Sequence, residues 1–270
     1  MNYLQAIILG IIQGLTEFIP VSSSGHLVLA QYFFGIESVD NITFEVFMHL
    51  GTLLAVLIFF RKQIWELILS LFYWKPNLKN ETHRQNRAMI VYLIIATLVT
   101  GVFYLIFKDI LEGAYQNPLL VSFMLLITGA MIFASDFVKN TSIPASNTGF
   151  LKSAFIGLAQ GLAIMPGISR SGATITASLF CGIKRKDAAH FSFLLSIPAI
   201  LAANISELPA LMALDTGVLG IYLAGFAASF VAGYLVIAAL IRLIQAGSLK
   251  YFAFYVWLVA LAFIGYILIV

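Results

Sequence analysis

Two short polar runs interrupt long apolar stretches, and between them they hold residue types suited to phosphate. The first is Ser22-Ser23-Ser24-Gly25-His26, preceded by Gln13 and Glu17; the second, Pro166 to Thr174 (PGISRSGAT), contains Ser169, Arg170, Ser171 and Thr174. Gly10, Gln13, Gly14 and Glu17 recur at i, i+3, i+4 and i+7, which is one face of a helix. Glu17 therefore projects beside the tip that carries the three serines and His26. The guanidinium of Arg170 has a planar donor fork that matches phosphate oxygens. In both runs a new helix starts just after the break and aims its first amides at it, a geometry that binds anions. Glu17, helped by Gln13, can hold Mg²⁺ or Ca²⁺ through oxygen ligands. His26, which titrates near neutral pH, can activate a serine hydroxyl or a water. The set suits a phosphorylated ligand. Each part also has a plainer reading: Glu17 bonded to nearby backbone, Arg170 neutralising Glu17 as a buried pair, serines serving as helix caps. The conjunction of the two runs favours the chemical reading.

The elements that must position these groups lie in a membrane. Of 270 residues 61% are hydrophobic and 10% charged, against roughly 25% charged in soluble domains. Too little charge remains to cover a water-facing surface. The single cysteine, Cys181, excludes a disulfide framework and a multi-cysteine metal site, and the 15 basic residues form no nucleic-acid footprint. No basic stretch precedes the first apolar run, since the first Lys or Arg is Arg61, so no cleavable signal is expected. Six uncharged apolar runs are expected to cross the bilayer as helices, near residues 46–60, 88–107, 118–135, 191–206, 218–241 and 251–270. Two further segments, 4–34 and 150–181, carry the polar breaks. Their arms are too short for a full crossing, and they are expected to be re-entrant hairpins whose irregular backbone lines a cavity. Glu45 and His49, at the outer end of the first span, read more readily as structural groups than as supports of the site.

If each broken segment returns to its starting side, the loops sort by charge. One set holds 13 basic residues, among them Arg61, Lys62, Lys75, Lys79, Lys152 and Lys184–Lys186; the other holds Lys108 with Glu37, Asp40, Asp109, Glu112, Glu207 and Asp215. The positive-inside rule places the first set in the cytoplasm and both termini outside. A shift of 147 residues aligns the chain with itself: Gly10, Gln13, Gly14 and Leu15 meet Gly157, Gln160, Gly161 and Leu162, and Ser22, Ser24 and Gly25 meet Ser169, Ser171 and Gly172. Residues 4–55 contain 16 identities in 52 positions at that shift. Each half, about 1–136 and 148–270, holds one hairpin and three spans, so the second half is inverted relative to the first. The expectation is an all-α integral membrane protein, one domain over residues 1–270, built as an inverted repeat whose hairpin tips meet in the bilayer.

The runs from Gln13 to His26 (QGLTEFIPVSSSGH) and from Pro166 to Thr174 closely resemble the two signatures of the undecaprenyl-diphosphate phosphatase (bacitracin-resistance) family of bacteria. The likeness extends over the whole chain, including Phe44-Glu45-Val46. It implies hydrolysis of undecaprenyl diphosphate to the monophosphate and inorganic phosphate in the plasma (inner) membrane, which recycles the cell-wall lipid carrier and counters bacitracin. It further implies Glu17 as the acidic metal or base residue, Ser23 as nucleophile with His26 beside it, and Arg170 as the phosphate clamp. Ser22, Ser24, Ser169, Ser171 and Thr174 become phosphate contacts, with Gln13 and Glu17 holding a divalent cation. Gln13 stands at a position where the family has Glu or Gln. The implied partners are the lipid substrate and the surrounding lipids, with no nucleic acid; a homo-oligomer is compatible. A second function class is a transporter or flippase of a phosphorylated lipid, because inverted repeats recur in transporters. A transporter leaves its substrate intact, so phosphate release in detergent separates the two.

Overall fold

The computed structural model describes residues 1–36, 42–72, 81–245 and 248–269. Glu37, Asp40, Lys75 and Lys79 of the charge pattern fall outside the described residues. The first broken segment is two helices. Helix α1 (Tyr3–Phe18) starts at a capping box, in which Asn2 Oδ1 accepts from Gln5 N–H and Gln5 Oε1 accepts from Asn2 N–H, both at 2.9 Å. It stops because Pro20 pushes Ile19 out of the helical region, to ψ 136°. Helix α2 (Ser23–Phe33) follows a tight link in which Ser22 adopts φ 69°. That left-handed conformation is strained for a residue with a side chain.

The second segment repeats the plan as α7 (Phe150–Leu162) and α8 (Arg170–Phe180). Its turn contains Gly167 at φ 92°. Ser22 and Ser169, one repeat apart, both cap by accepting an amide from a glycine three residues on: Gly25 at 3.2 Å and Gly172 at 3.0 Å.

The six expected spans are present as helices long and apolar enough to cross a bilayer: α3 (Ile42–Phe59), α5 (Glu81–Ala114), α6 (Pro118–Ser135), α9 (Arg185–Ser206), α11 (Thr216–Gln245) and α12 (Lys250–Ile269). Leu98, Leu105, Leu235 and Leu258 stay more than half exposed, as suits a surface solvated by lipid. Helix α5, about 50 Å long, outruns the expected 88–107 at both ends, its charged termini extending beyond hydrocarbon thickness. Two short helices were not expected from the sequence, α4 (Arg61–Phe72) and α10 (Leu208–Met212). Helix α4 has charged and apolar residues close together, which suits the edge of a membrane rather than its middle.

The halves interlock. Helix α1 packs on α11 of the other half, and α7 packs on α5. Gly10 lies against the Gly225 carbonyl and Gly157 against the Ala96 carbonyl, so a methyl group at either would collide with backbone. The small residues bring the helices close enough for backbone contact. Thr100 Oγ1 donates to Gly157 O at 2.9 Å, and Ser229 Oγ to Met48 O at 2.8 Å. Helices α3 and α9, and α6 and α12, pair across the same boundary. The breaks are thereby pressed together at the centre.

Candidate functional site

The last turn of α1 places Gln13 above Glu17, and both are buried. Gln13 Nε2 donates to Glu17 Oε2 at 2.9 Å. Because Pro20 ends α1 and Ser22 takes its strained turn, α2 folds back at once, and Ser23 as its first residue donates Oγ to the same Oε2 at 2.6 Å. The other carboxylate oxygen, Oε1, accepts from Arg170 Nη2, at the start of α8. A second link ties the breaks, Ser171 Oγ donating to Ile19 O at 3.3 Å. Glu17 and Arg170, 153 positions apart, form one buried pair.

Helix α6 holds the second break in shape. Thr128 Oγ1 donates to Gly167 O at 2.7 Å and accepts from Ser169 N–H at 2.9 Å. Arg170 also donates Nη1 to Ser192 O on α9 at 3.4 Å. These anchors keep the guanidinium at the cavity wall.

Glu17, Ser22, Ser23, Ser24, Ser169 and Arg170 line a cavity of about 180 Å³. The first turns of α2 and α8 both face it, and amides there have no partner within their helix. The hydroxyls of Ser22 and Ser24, 3.3 Å apart, lie along it, as does Ser169, whose Oγ is 3.2 Å from that of Ser171 behind it. An adjoining, mostly apolar cavity of about 320 Å³ runs between α5 and α9 past Thr97, Gly101, Leu111 and Pro198, and Arg170 and Tyr115 border both spaces. Its far end reaches Glu112 and Glu207. Burial, followed by the charges of Glu45 and Glu17, pushes the Tyr115 hydroxyl up from its ordinary value. Tyr115 is therefore a neutral hydroxyl at every physiological pH.

Several expected residues sit elsewhere. Thr174 turns toward α9, bonding Arg170 O at 2.9 Å and Ser192 Oγ at 2.6 Å. Ser171 is buried behind the wall. His26 was expected beside the serine hydroxyl as its activator, but its Nδ1 donates to Ser22 O at 2.8 Å and its Nε2 accepts from Tyr255 Oη at 3.0 Å. Its ring stacks on Tyr255, 5.6 Å between centroids. The backbone carbonyl one turn back captures the ring before the cavity can.

His49, read as structural, reaches the site instead: it lines the cavity, and Nε2 is 3.4 Å from Glu17 Oε2. A signal existed, since an ionisable group inside an apolar span is costly and rarely idle. Glu45 stays one turn away, accepting from Gln31 Nε2 at 2.7 Å. Tyr115, Thr128 and Ser192 carried no comparable signal, being ordinary residues until the helices meet.

Gln13 Oε1 is buried and without a hydrogen-bond partner, while Gln13 turns its Nε2 rather than that oxygen to Glu17. Among the described residues no three His, Cys, Asp or Glu side chains gather as a metal-holding group.

Comparison with known proteins places this arrangement in a family context. The family model described as bacitracin resistance protein BacA matches residues 6–262. A protein named undecaprenyl-diphosphatase from Methanobrevibacter smithii is 41% identical over 269 residues, covering 97% of this chain and 96% of its own. One of the same name from Treponema denticola is 44% identical over 256 residues, covering 94% of each. A third, from Syntrophotalea carbinolica, is 41% identical over 258 residues and covers 96% of each.

Proposed function

The chain belongs to the bacitracin resistance protein BacA family, and from that premise we propose that it is a phosphatase of undecaprenyl diphosphate, releasing inorganic phosphate and leaving the monophosphate. The observation that carries the reading is the Glu17 carboxylate, which one oxygen ties to the Ser23 hydroxyl and the other to the Arg170 guanidinium. That arrangement couples a nucleophile to its base and sets a phosphate clamp beside both.

The diphosphate enters the polar cavity while its prenyl chain lies along the apolar one, the two meeting at Arg170. Arg170 turns its fork from Glu17 to the terminal phosphate, joined by the first-turn amides of α2 and α8 and the hydroxyls of Ser22, Ser24 and Ser169. Glu17 then takes the Ser23 proton, and Ser23 Oγ attacks the terminal phosphorus in line. The bond from that phosphorus to the bridging oxygen breaks, and undecaprenyl monophosphate leaves with the bridging oxygen. Water hydrolyses the phosphoseryl group, and the serine proton is restored. Ser171 and Thr174 hold the second tip in place, and His26 acts through the Ser22 carbonyl that it supports. Gln13 and Glu17 would hold Mg²⁺ or Ca²⁺, which when bound neutralises charge on the phosphate oxygens.

The two helix pairs are, on this reading, re-entrant hairpins in an inverted repeat. Support comes from the exchanged packing of α1 on α11 and α7 on α5. The basic loops then face the cytoplasm of a plasma membrane, with both termini outside. Glu112 and Glu207 at the end of the apolar cavity belong to the poorly basic outer set, so substrate enters from the outer leaflet. A homo-oligomer remains compatible with this arrangement. Transport of an intact phospholipid is the less favoured reading, because relatives across the full length are named for hydrolysis.

The test is phosphate release from undecaprenyl diphosphate in detergent micelles, where no gradient exists. Glu17→Ala and Arg170→Ala should each lower it at least about 100-fold, the scale for removing a preorganised charge from a transition state. Normal turnover in both variants rejects the site.

A further inference from the structure

The polar and the apolar cavity share six lining residues among those described: Val46, Tyr115, Ile164, Arg170, Ala199 and Ala203. Of these only Arg170 and Tyr115 carry a side-chain hydrogen-bond donor. A lipid diphosphate has three parts in line, and the cavities receive two of them, the terminal phosphate and the prenyl chain. The phosphate between them must then lie in the neck. Ile164 stands 147 positions after Glu17, the repeat shift. The second half thus offers an apolar side chain where the first offers a carboxylate, and no acid among the shared residues repels a phosphate there.

Tyr115 follows α5 directly, in the turn that leads into α6. Its N–H donates to Glu112 O at 3.3 Å, and Asn117 N–H donates to Ala114 O at 3.2 Å. Asn117 Oδ1 caps α6 by accepting from Leu120 N–H at 3.0 Å. The ring is therefore carried by a bonded turn. Helix α6 also holds the second break through Thr128, so one element fixes both Tyr115 and the tip that bears Arg170. Burial and the nearby carboxylates keep the proton on the Tyr115 hydroxyl, and toward a phosphate that hydroxyl is a donor.

We infer that Tyr115 is a specificity residue, its hydroxyl donating to the phosphate that stays on the lipid and so selecting a diphosphate over a monophosphate. Arg170 is committed to the terminal phosphate, which leaves Tyr115 as the other side-chain donor at the neck. As the bond to the bridging oxygen breaks, charge grows on the departing phosphate, where a donor already in place counts most. The contact is a hydrogen bond, and no proton changes hands. This inference rests on the phosphatase reading for the placement of the diphosphate, but it is measured as binding without turnover.

The probes are farnesyl methylene-diphosphonate, whose bridging methylene resists hydrolysis, and farnesyl phosphonate, whose single head group takes the donor-rich terminal position. Each is titrated calorimetrically into the full chain in detergent. The wild type should bind the diphosphonate at least tenfold more tightly than the monophosphonate. Tyr115→Phe keeps the ring and removes only the hydroxyl. It should weaken the diphosphonate at least tenfold, the scale of a hydrogen bond to a charged oxygen, while changing the monophosphonate less than threefold. Intact monophosphonate binding also reports that the variant is folded. A smaller loss of diphosphonate affinity, an equal loss of both ligands, or a wild type without the preference overturns the inference. Phosphate release by the wild type is scored separately. Release combined with hydroxyl-independent binding rejects the Tyr115 contact alone, whereas the expected binding pattern without release upholds the contact and rejects the phosphatase.

Discussion

At the scale of residues, one carboxylate organises the pocket. Glu17 receives Ser23, Gln13 and Arg170 together, and a buried carboxylate without such partners would cost several kcal/mol. In the proposed mechanism the same crowding lets Ser23 act as nucleophile and Glu17 as its base. Ser23→Ala should therefore lower phosphate release at least about 1000-fold, and rapid-quench trapping with labelled diphosphate should capture a phosphoseryl group on Ser23 in the wild type. Retention of most activity by Ser23→Ala would move the attack to water. Glu17, Arg170 and the serines could be picked out beforehand because charged and hydroxyl groups are conspicuous in a composition 61% hydrophobic. Their hydrogen-bond partners could not, because His26 and His49 look alike on paper and differ only in which carbonyl or carboxylate each ring meets.

At the scale of elements, the breaks come from local chemistry and their meeting from glycine. Pro20 and Gly167 end or turn the chain at each tip, and Ser22 and Ser169 restart the helices. These signals are short range and could be read directly. The contact of α1 with α11 instead depends on Gly10 and Gly14 lying on backbone of the other half. Gly10→Ala places a methyl group against the Gly225 carbonyl and the Ala228 side chain, neither of which can yield without moving a helix. Its expected cost is about 1–3 kcal/mol, seen as a lower unfolding midpoint in detergent. Gly265→Ala, where no atom lies within 4 Å, should leave that midpoint within error. Equal midpoints for both variants would contradict the tight interface.

For the whole molecule, the expected topology sorts 13 basic residues into one set of loops and Lys108 into the other. The positive-inside rule turns that asymmetry into an orientation, and orientation decides from which leaflet the apolar cavity draws substrate. In a Cys181→Ser background, a cysteine introduced as Asp109→Cys should react with an impermeant maleimide in intact cells, while Lys152→Cys should react only after lysis. The opposite pattern reverses the topology and moves substrate access to the cytoplasmic leaflet.

The amino-acid sequence alone determined that this chain lives in lipid, where its six spans fall and where two breaks interrupt it, and it named the candidate side chains at those breaks. Those properties are local or additive: hydropathy accumulates along a run, proline stops a helix wherever it stands, and a guanidinium has its shape in any fold. Only the tertiary structure decided that Ser23 and Arg170 share one carboxylate, that His26 turns to Tyr255 while His49 faces Glu17, and that an apolar cavity joins the polar one at Arg170. Those facts depend on distances between helices remote in the chain, which small residues such as Gly10, Gly14 and Gly157 allow to come into backbone contact.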